Sequence, residues 1–215
     1  NVSHELKTPL TSILGYAELI SKEIAKKEDI PHFGELIHRE AARLLQVIED
    51  IIKLSKLDEA DLVKEFEDVR LDELCLTVIN DLKQKASGYK VKCSFKGQET
   101  IIKGYSPILY EMIYNLCDNA IVYNKAEGSV ILKLEKNDNK PVLTVADTGI
   151  GIPQEHLPRV FERFYRVDKS HSKDTGGTGL GLSIVKHAAS LHDAKIDISS
   201  KINKGTRISI YFNIN

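Results

Sequence analysis

Residues 2–24, VSHELKTPLTSILGYAELISKEI, place Leu6, Leu10, Ile13, Ala17, Ile20 and Ile24 at alternating spacings of four and three. That is a heptad-like seam, the signature of a helix packed nearly parallel to others. A polar break follows, KKEDIPH at 26–32, with Pro31 placed to open a second helix. The next run carries Phe33, Ile37, Ala41, Leu44, Ile48, Ile51 and Leu54 at helical spacing. Two long amphipathic helices on a short loop make an antiparallel hairpin. One hairpin cannot cover both of its apolar stripes, so the pattern predicts pairing with a second copy into a four-helix bundle. Near the start of the first helix stands His4, followed by Glu5, Thr8 and Pro9. A histidine there is ordinarily only a polar surface residue, and the remaining sequence decides whether it is more.

After Leu57 the periodicity changes. LVKEFEDVRL (62–71) reads as a short strand, LDELCLTVINDLKQKA (71–86) as an amphipathic helix and YKVKCSF (89–95) as a strand. PILYEMIYNLCDNAIVY (107–123) is helical again, and SVILKLEKNDNKPVLTVAD (129–147) is a hairpin around an Asn-rich turn. A Gly- and charge-rich stretch precedes the helix GLSIVKHAASLH (181–192) and two last strands, AKIDISS (194–200) and GTRISIYF (205–212). Helices and strands mix without a βαβ repeat. The predicted class is α+β, with a helical hairpin over 1–58 and a helix-on-sheet α/β sandwich over 59–215.

Composition excludes several functions. Of 215 residues, 42% are hydrophobic and 28% charged, ordinary for a globular chain. A net charge of −1 gives no electrostatic case for nucleic acid or a membrane surface. Cys75, Cys93 and Cys117 are far apart and odd in number, which suits a reducing cytosol. No apolar run is long enough to span a bilayer. The chain does not begin with Met and starts in helical register, so it reads as a piece of a longer protein.

Two segments carry the chemistry: DTGIGI at 147–152 and GGTGLGLS at 176–183. Glycines admit left-handed backbone and close ligand approach, and the second segment runs into a helix whose N-terminal N–H groups suit an anion. Neither fits the P-loop or Rossmann spacing. Alone each reads as a turn; bracketing about 25 residues, the pair reads as a nucleotide lid. Asp147 ends an apolar strand, where its carboxylate suits a purine amino group or simply a turn. Asn115 and Asn119 share a helix face with Glu111 one turn earlier, as Mg²⁺ ligands beside phosphates or as solvated side chains.

Together these stretches resemble the catalytic core of the sensor histidine kinases of two-component systems. SHELKTPLTSI (3–13) is similar to that family's H box, NLCDNAIVYN (115–124) to its N box and DTGIGI to its G1 box. FERFYRVD (161–168) and GGTGLGLSIVK (176–186) are similar to its F and G2 boxes, and all five come in the family's order. The resemblance implies a dimerisation and phosphotransfer hairpin, then an ATP-binding sandwich of the gyrase and Hsp90 type. It implies ATP with Mg²⁺, a homodimer, a response regulator as partner, and a bacterial membrane-anchored parent of which this is a cytoplasmic portion.

By that resemblance His4 accepts the γ-phosphoryl group on a ring nitrogen, which suits imidazole, whose reference pKa of about 6.5 leaves a neutral nucleophile at cytosolic pH. Glu5, about 100° around the helix, holds a ring N–H and takes the proton. Thr8, one turn on, positions water against the regulator's phospho-aspartate. Pro9 weakens the helix beside His4, easing a change between kinase and phosphatase states. Asn119 matches the Mg²⁺ ligand with Asn115 beside it, and Tyr123 and Asp147 match the adenine pocket. Gly149 and Gly151 match the lid hinge, Arg166 and less closely Arg163 the phosphoryl-steadying arginine, and Gly177, Gly179 and Gly181 the phosphate-facing turn. Positioning and charge neutralisation suffice for phosphoryl transfer.

Departures from the pattern matter too. Val122 stands where the N box has a cation, which predicts weaker nucleotide binding unless Lys125 substitutes. Tyr105 replaces an aspartate and Asp193-Ala194 a Gly-Gly turn, both read as local changes. His32, His38, His156, His171, His187 and His192 lack metal-ligand spacing and read as surface or structural residues. Two other functions stay open: a phosphatase scaffold with a weak ATP domain, and a conformational ATPase, which would need no histidine acceptor.

Overall fold

A computed structural model describes residues 2–57, 66–138, 140–167 and 177–213. Helices α1 (Val2–Ser21) and α2 (Ile30–Leu57) form the hairpin, joined through a short 3₁₀ turn at Lys27–Asp29. α1 stops three residues before Ile24, the last residue of the predicted seam, which lies exposed in the connection. There Glu23 turns at φ 55° and the Ile24 and Ala25 N–H groups fold back onto the Leu19 carbonyl at 3.0 Å, closing the helix end. In the hairpin Pro9 and Val47 are buried and Tyr16 stacks on Phe33 at 5.7 Å, while Leu54 near the end of α2 joins the core of the sandwich. Outside it Leu10, Leu14, Leu45, Ile48 and Ile52 are each at least 40% exposed. Of the predicted stripes Leu10 and Ile48 face outward, beside Leu14, Leu45 and Ile52, which the stripes did not include.

Pro9 sits within α1 without ending it. Around it the hydroxyls of Thr8, Thr11 and Ser12 donate to the carbonyls of His4, Lys7 and Thr8 at 3.1, 2.8 and 3.3 Å. Such back-bonding is slightly unfavourable to a regular helix.

The remaining elements are β1 (Glu67–Arg70), α3 (Leu71–Asp81), α4 (Lys83–Gly88), β2 (Lys92–Gly97), β3 (Ile101–Gly104), α5 (Ser106–Val122), β4 (Ser129–Asn137), β5 (Lys140–Asp147), α6 (Gly181–Leu191), β6 (Ala194–Lys201) and β7 (Gly205–Phe212). Five strands make a sheet in the order β2-β4-β5-β7-β6, antiparallel except for β2 beside β4, and β1 pairs β3 separately. On one sheet face Leu132, Val145 and Ile208 lie in register across β4, β5 and β7, and the core closes against Met112 and Ile113 of α5 and Ile184 and Val185 of α6. Layered helices on one sheet face are what the mixed pattern implied.

Three readings need correction. The strand read over 62–71 is confined to Glu67–Arg70 within the described residues, because Leu71 already opens α3; 62–65 lie outside them, as do the 58/59 boundary, Asn139 and His171. The single helix over 71–86 breaks at Leu82, which is buried with Ala86 so that both pieces stay on the core. Strand β3 was not read at all. It has four residues, of which Ile102 is buried and Ile101 exposed, too short for a period to show.

Two polar joints hold the sandwich. Arg70 donates to Asp72 at 2.8 and 3.1 Å, and Asp72 also accepts the Thr100 N–H at 3.1 Å; the Arg70 bonds above all hold this carboxyl down at about 2. His192 is 7% exposed, with Nδ1 donating to the Ala188 carbonyl at 2.7 Å and Nε2 accepting the Tyr105 N–H at 3.1 Å. Phe66 stacks on its ring at 4.9 Å. Burial pushes its pKa below the usual histidine value, so the neutral ring is the one that fits. Among the described residues, no helix is long and apolar enough to cross a membrane.

Candidate nucleotide and phosphotransfer site

The G1 stretch is built around Asp147, the last residue of β5. Its Oδ1 accepts the Gly149 N–H at 2.7 Å and the Thr206 N–H at 3.2 Å, leaving its other oxygen for a partner. Burial raises its pKa above the usual carboxylate range against those two bonds. The following turn is locked from three sides. Ile150 N–H bonds the Tyr123 carbonyl at 3.1 Å, Asn203 N–H bonds the Ile150 carbonyl at 2.7 Å, and Ile152 N–H bonds Ser200 Oγ at 2.8 Å. Gly151 adopts φ +72°, and a Cβ there would stand 2.2 Å from the Lys201 carbonyl oxygen. Only glycine fits on both counts.

The end of α5 faces this turn. Asn124 donates to the carbonyls of Ala120 and Ser129 at 2.9 and 3.1 Å and accepts from Thr148 at 3.2 Å. It fastens α5 to β4 and to the G1 turn. Sequence reasoning passed over Asn124 and Thr206; the only cue was an amide immediately after a helix and a strand opening on Gly-Thr.

The glycine turn before α6 comes to the same end of the sheet. Gly179 has φ +75° and its carbonyl accepts the Phe164 N–H at 2.9 Å, which joins the F and G2 stretches. Gly181 lies against the Asn115 and Asn119 amides: a Cβ there would be 2.7 Å from Asn115 Oδ1 and 3.5 Å from Asn119 Nδ2. Gly177 lies beside the Tyr123 hydroxyl and Arg166. Arg166 donates to the Gly177 carbonyl and is hydrogen-bonded to Tyr123; burial lowers its pKa. Behind it Tyr165 is pinned by His156 at 2.6 Å and by Arg159 stacked 4.3 Å above its ring.

Asn115, Asn119, Tyr123, Asp147, Gly149, Arg166, Gly177, Gly179 and Gly181 are thus connected through α5, with Gly151 completing the G1 turn. The Glu111 carboxylate is not among these contacts; it pairs with Lys53 of α2 at 2.8 Å. Lys125, the proposed stand-in for the missing N-box cation, donates to the Asn203 carbonyl at 2.5 Å. A cleft of about 310 Å³ at the β6–β7 turn shares only Asp147 with the cluster.

His4 and Thr8 are exposed, one turn apart on α1. Glu5 pairs with Arg43 of α2 at 3.9 Å. Burial is the main reason the Arg166 pKa is lowered, with the Arg43 charge adding to it. Among the described residues, no three His, Cys, Asp or Glu side chains converge to hold a metal. Two amide oxygens suit an ion that arrives with phosphate oxygens rather than one caged by protein.

Comparison with known proteins agrees with this layout. Residues 1–60 match the His Kinase A (phospho-acceptor) domain, and residues 104–215 match the histidine kinase-, DNA gyrase B- and HSP90-like ATPase. The chain is 37% identical over 217 residues to the phosphate regulon sensor protein PhoR of Pseudomonas aeruginosa, covering 99% of this chain and 48% of that protein. In fold it is similar to the histidine kinase AdeS of Acinetobacter baumannii, with a TM-score of 0.75 at 22% identity over 99% of this chain and 98% of that one. It is equally similar, at 0.75 and 22% over 98% and 59%, to the histidine kinase ThkA solved in complex with the response regulator protein TrrA. The chain belongs to the sensor histidine kinases of two-component systems and comprises their catalytic core. It spans about half the length of the curated relatives it matches.

Proposed function

We propose that the chain autophosphorylates on His4 with ATP and passes the phosphoryl group to an aspartate of a response regulator, with phosphatase activity toward that regulator. The lone pair of a His4 ring nitrogen attacks the γ-phosphorus, the bond to the β-phosphate oxygen breaks with its electrons leaving on ADP, and Glu5 takes the ring proton. The regulator's carboxylate then attacks the same phosphorus, and His4 leaves with the P–N electrons as Glu5 returns the ring proton. Asp147 and Tyr123 hold adenine, the Gly177–Gly181 turn and Arg166 orient the phosphates, and Gly149 and Gly151 fix the turn from which the lid starts rather than flexing as its hinge. Asn119, Asn115 and Glu111 would hold Mg²⁺, which neutralises phosphate charge. Residues 1–58 serve as the phosphotransfer unit and 59–215 as the ATP-binding unit. The working form is a homodimer in the cytoplasmic part of a membrane-anchored bacterial sensor.

The observation that supports this reading is the convergence on the glycine turn, where Arg166 and Tyr123 lie beside Gly177 and the Asn115 and Asn119 amides lie against Gly181. Incubation with Mg²⁺ and ATP labelled on its γ-phosphate tests it. Base-stable, acid-labile label that disappears in His4→Ala is the expected result; undiminished label in that variant removes His4 as acceptor. A second reading, a phosphatase scaffold with weak ATP use, draws support from Lys125 being bonded to Asn203 while Val122 offers no charge. No label on a folded, dimeric wild type would favour it.

A further inference from the structure

Asp50 and Lys53 lie one turn apart on α2, and each reaches across to the ATP-binding unit. Asp50 is 8% exposed and accepts from Gln46 at 3.0 Å and from Thr178 Oγ1 at 2.6 Å. Thr178 is the middle residue of the Gly177–Gly179 turn, and its hydroxyl also accepts the Leu180 N–H at 3.3 Å, at the entry to α6. Lys53 holds Glu111 at 2.8 Å, one turn before Asn115 on α5. Burial works against the Lys53 ammonium, and Glu111 with Asp50 and Glu49 more than offsets it. One helix of the hairpin therefore grips two walls of the same site, the glycine turn through a carboxylate and the Asn-bearing helix through an ammonium.

A glycine turn that leads into a helix attracts negative charge. In this arrangement the negative charge lying against it is the carboxylate of Asp50. A triphosphate arriving at the turn meets like charge that is hydrogen-bonded in place and poorly solvated, and Glu111 cannot join a metal while it is paired with Lys53. We propose that Asp50 and Lys53 are positioning residues that work through Thr178 and Glu111 as a latch: docking of the ATP-binding unit on α2 and binding of Mg²⁺-nucleotide oppose each other. The proposal rests on the nucleotide reading of the glycine turn. By linkage, nucleotide loosens the docked contact by the same factor that docking weakens nucleotide.

Titration of the 215-residue chain and its Asp50→Asn and Asp50→Ala variants with a fluorescent non-hydrolysable ATP analogue and Mg²⁺ decides the matter. The asparagine keeps an acceptor for Thr178 and removes the charge; the alanine removes both. The latch predicts tighter binding in both variants, by roughly three- to tenfold for a charge pair near a protein surface, with alanine at least equal to asparagine. It also predicts faster hydrogen exchange at Leu180 and Gly181 in nucleotide-free Asp50→Ala. Equal affinities in all three proteins overturn the latch and leave the nucleotide site standing. Weaker binding in Asp50→Ala with recovery in Asp50→Asn overturns it as well, and makes Asp50 a support of the turn. Failure of all three to bind the analogue overturns the nucleotide reading, and the latch with it.

Discussion

At the scale of single residues, Asp147 shows a site costing stability. Its carboxylate is half enclosed, and its folded pKa is raised, so the chain favours the protonated form more than an unfolded chain does. The sign follows: its contribution to stability is present at low pH and lost as pH rises past the ordinary carboxylate value. Asp147→Asn keeps an oxygen for the Gly149 and Thr206 N–H groups and removes that cost. The melting temperature of the nucleotide-free variant is expected to rise at pH 7, while its ATP affinity falls by about ten- to hundredfold, the weight of a charged hydrogen bond of ~1.5–3 kcal/mol. Calorimetry and nucleotide titration on one preparation check both halves. His192 behaves in the opposite sense. With its folded pKa lowered, the stability it lends is present above about 6.5 and drains as pH falls below that. Urea unfolding of wild type between pH 7.5 and 5 is expected to show that loss, and His192→Gln to flatten it; an unchanged slope would assign the loss to other groups.

At the scale of elements, the turns rather than the strands set the site. The β5–G1 turn reaches under the β6–β7 turn so closely that Gly151 has no room for a side chain and no freedom of φ for one. Gly151→Ala is expected to destabilise by about 1–3 kcal/mol for the backbone alone and to loosen nucleotide binding more than the His4 helix, as read by denaturant midpoint and by exchange in the Gln154–His156 segment. Helix α1 differs: Pro9 and three back-bonded hydroxyls follow His4 without breaking the helix.

At the scale of the whole molecule, the hairpin leaves an apolar face uncovered. Leu45, Ile48 and Ile52 follow helical spacing along α2, with Leu10 and Leu14 on α1. Such a stripe on a hairpin is stable in water only when covered. Leu45→Ser combined with Ile52→Ser is expected to shift the sedimentation of the chain from dimer to monomer; a variant that sediments as wild type would place the interface elsewhere.

Both the hairpin and the order of the sandwich elements were legible in the sequence, because period 3.6 and period 2 are properties of neighbours along the chain. So were the G1 and G2 turns, since their glycines answer local backbone demands, and the candidate residues from Asn115 to Gly181, which the five boxes mark. Other features had no local sign. Strand β3 is too short to show a period, and the break at Leu82 serves a core assembled from distant elements. Asn124, Thr206 and His192 hold joints whose partners are contacts made only after folding. The pairing of Glu111 with Lys53 and of Thr178 with Asp50, across 58 and 128 residues, was decided by tertiary structure alone. Sequence determined most of the elements and marked the candidate residues, through short-range sterics and hydrophobic period; packing decided which of those residues meet, because burial and charge act through space and not along the chain.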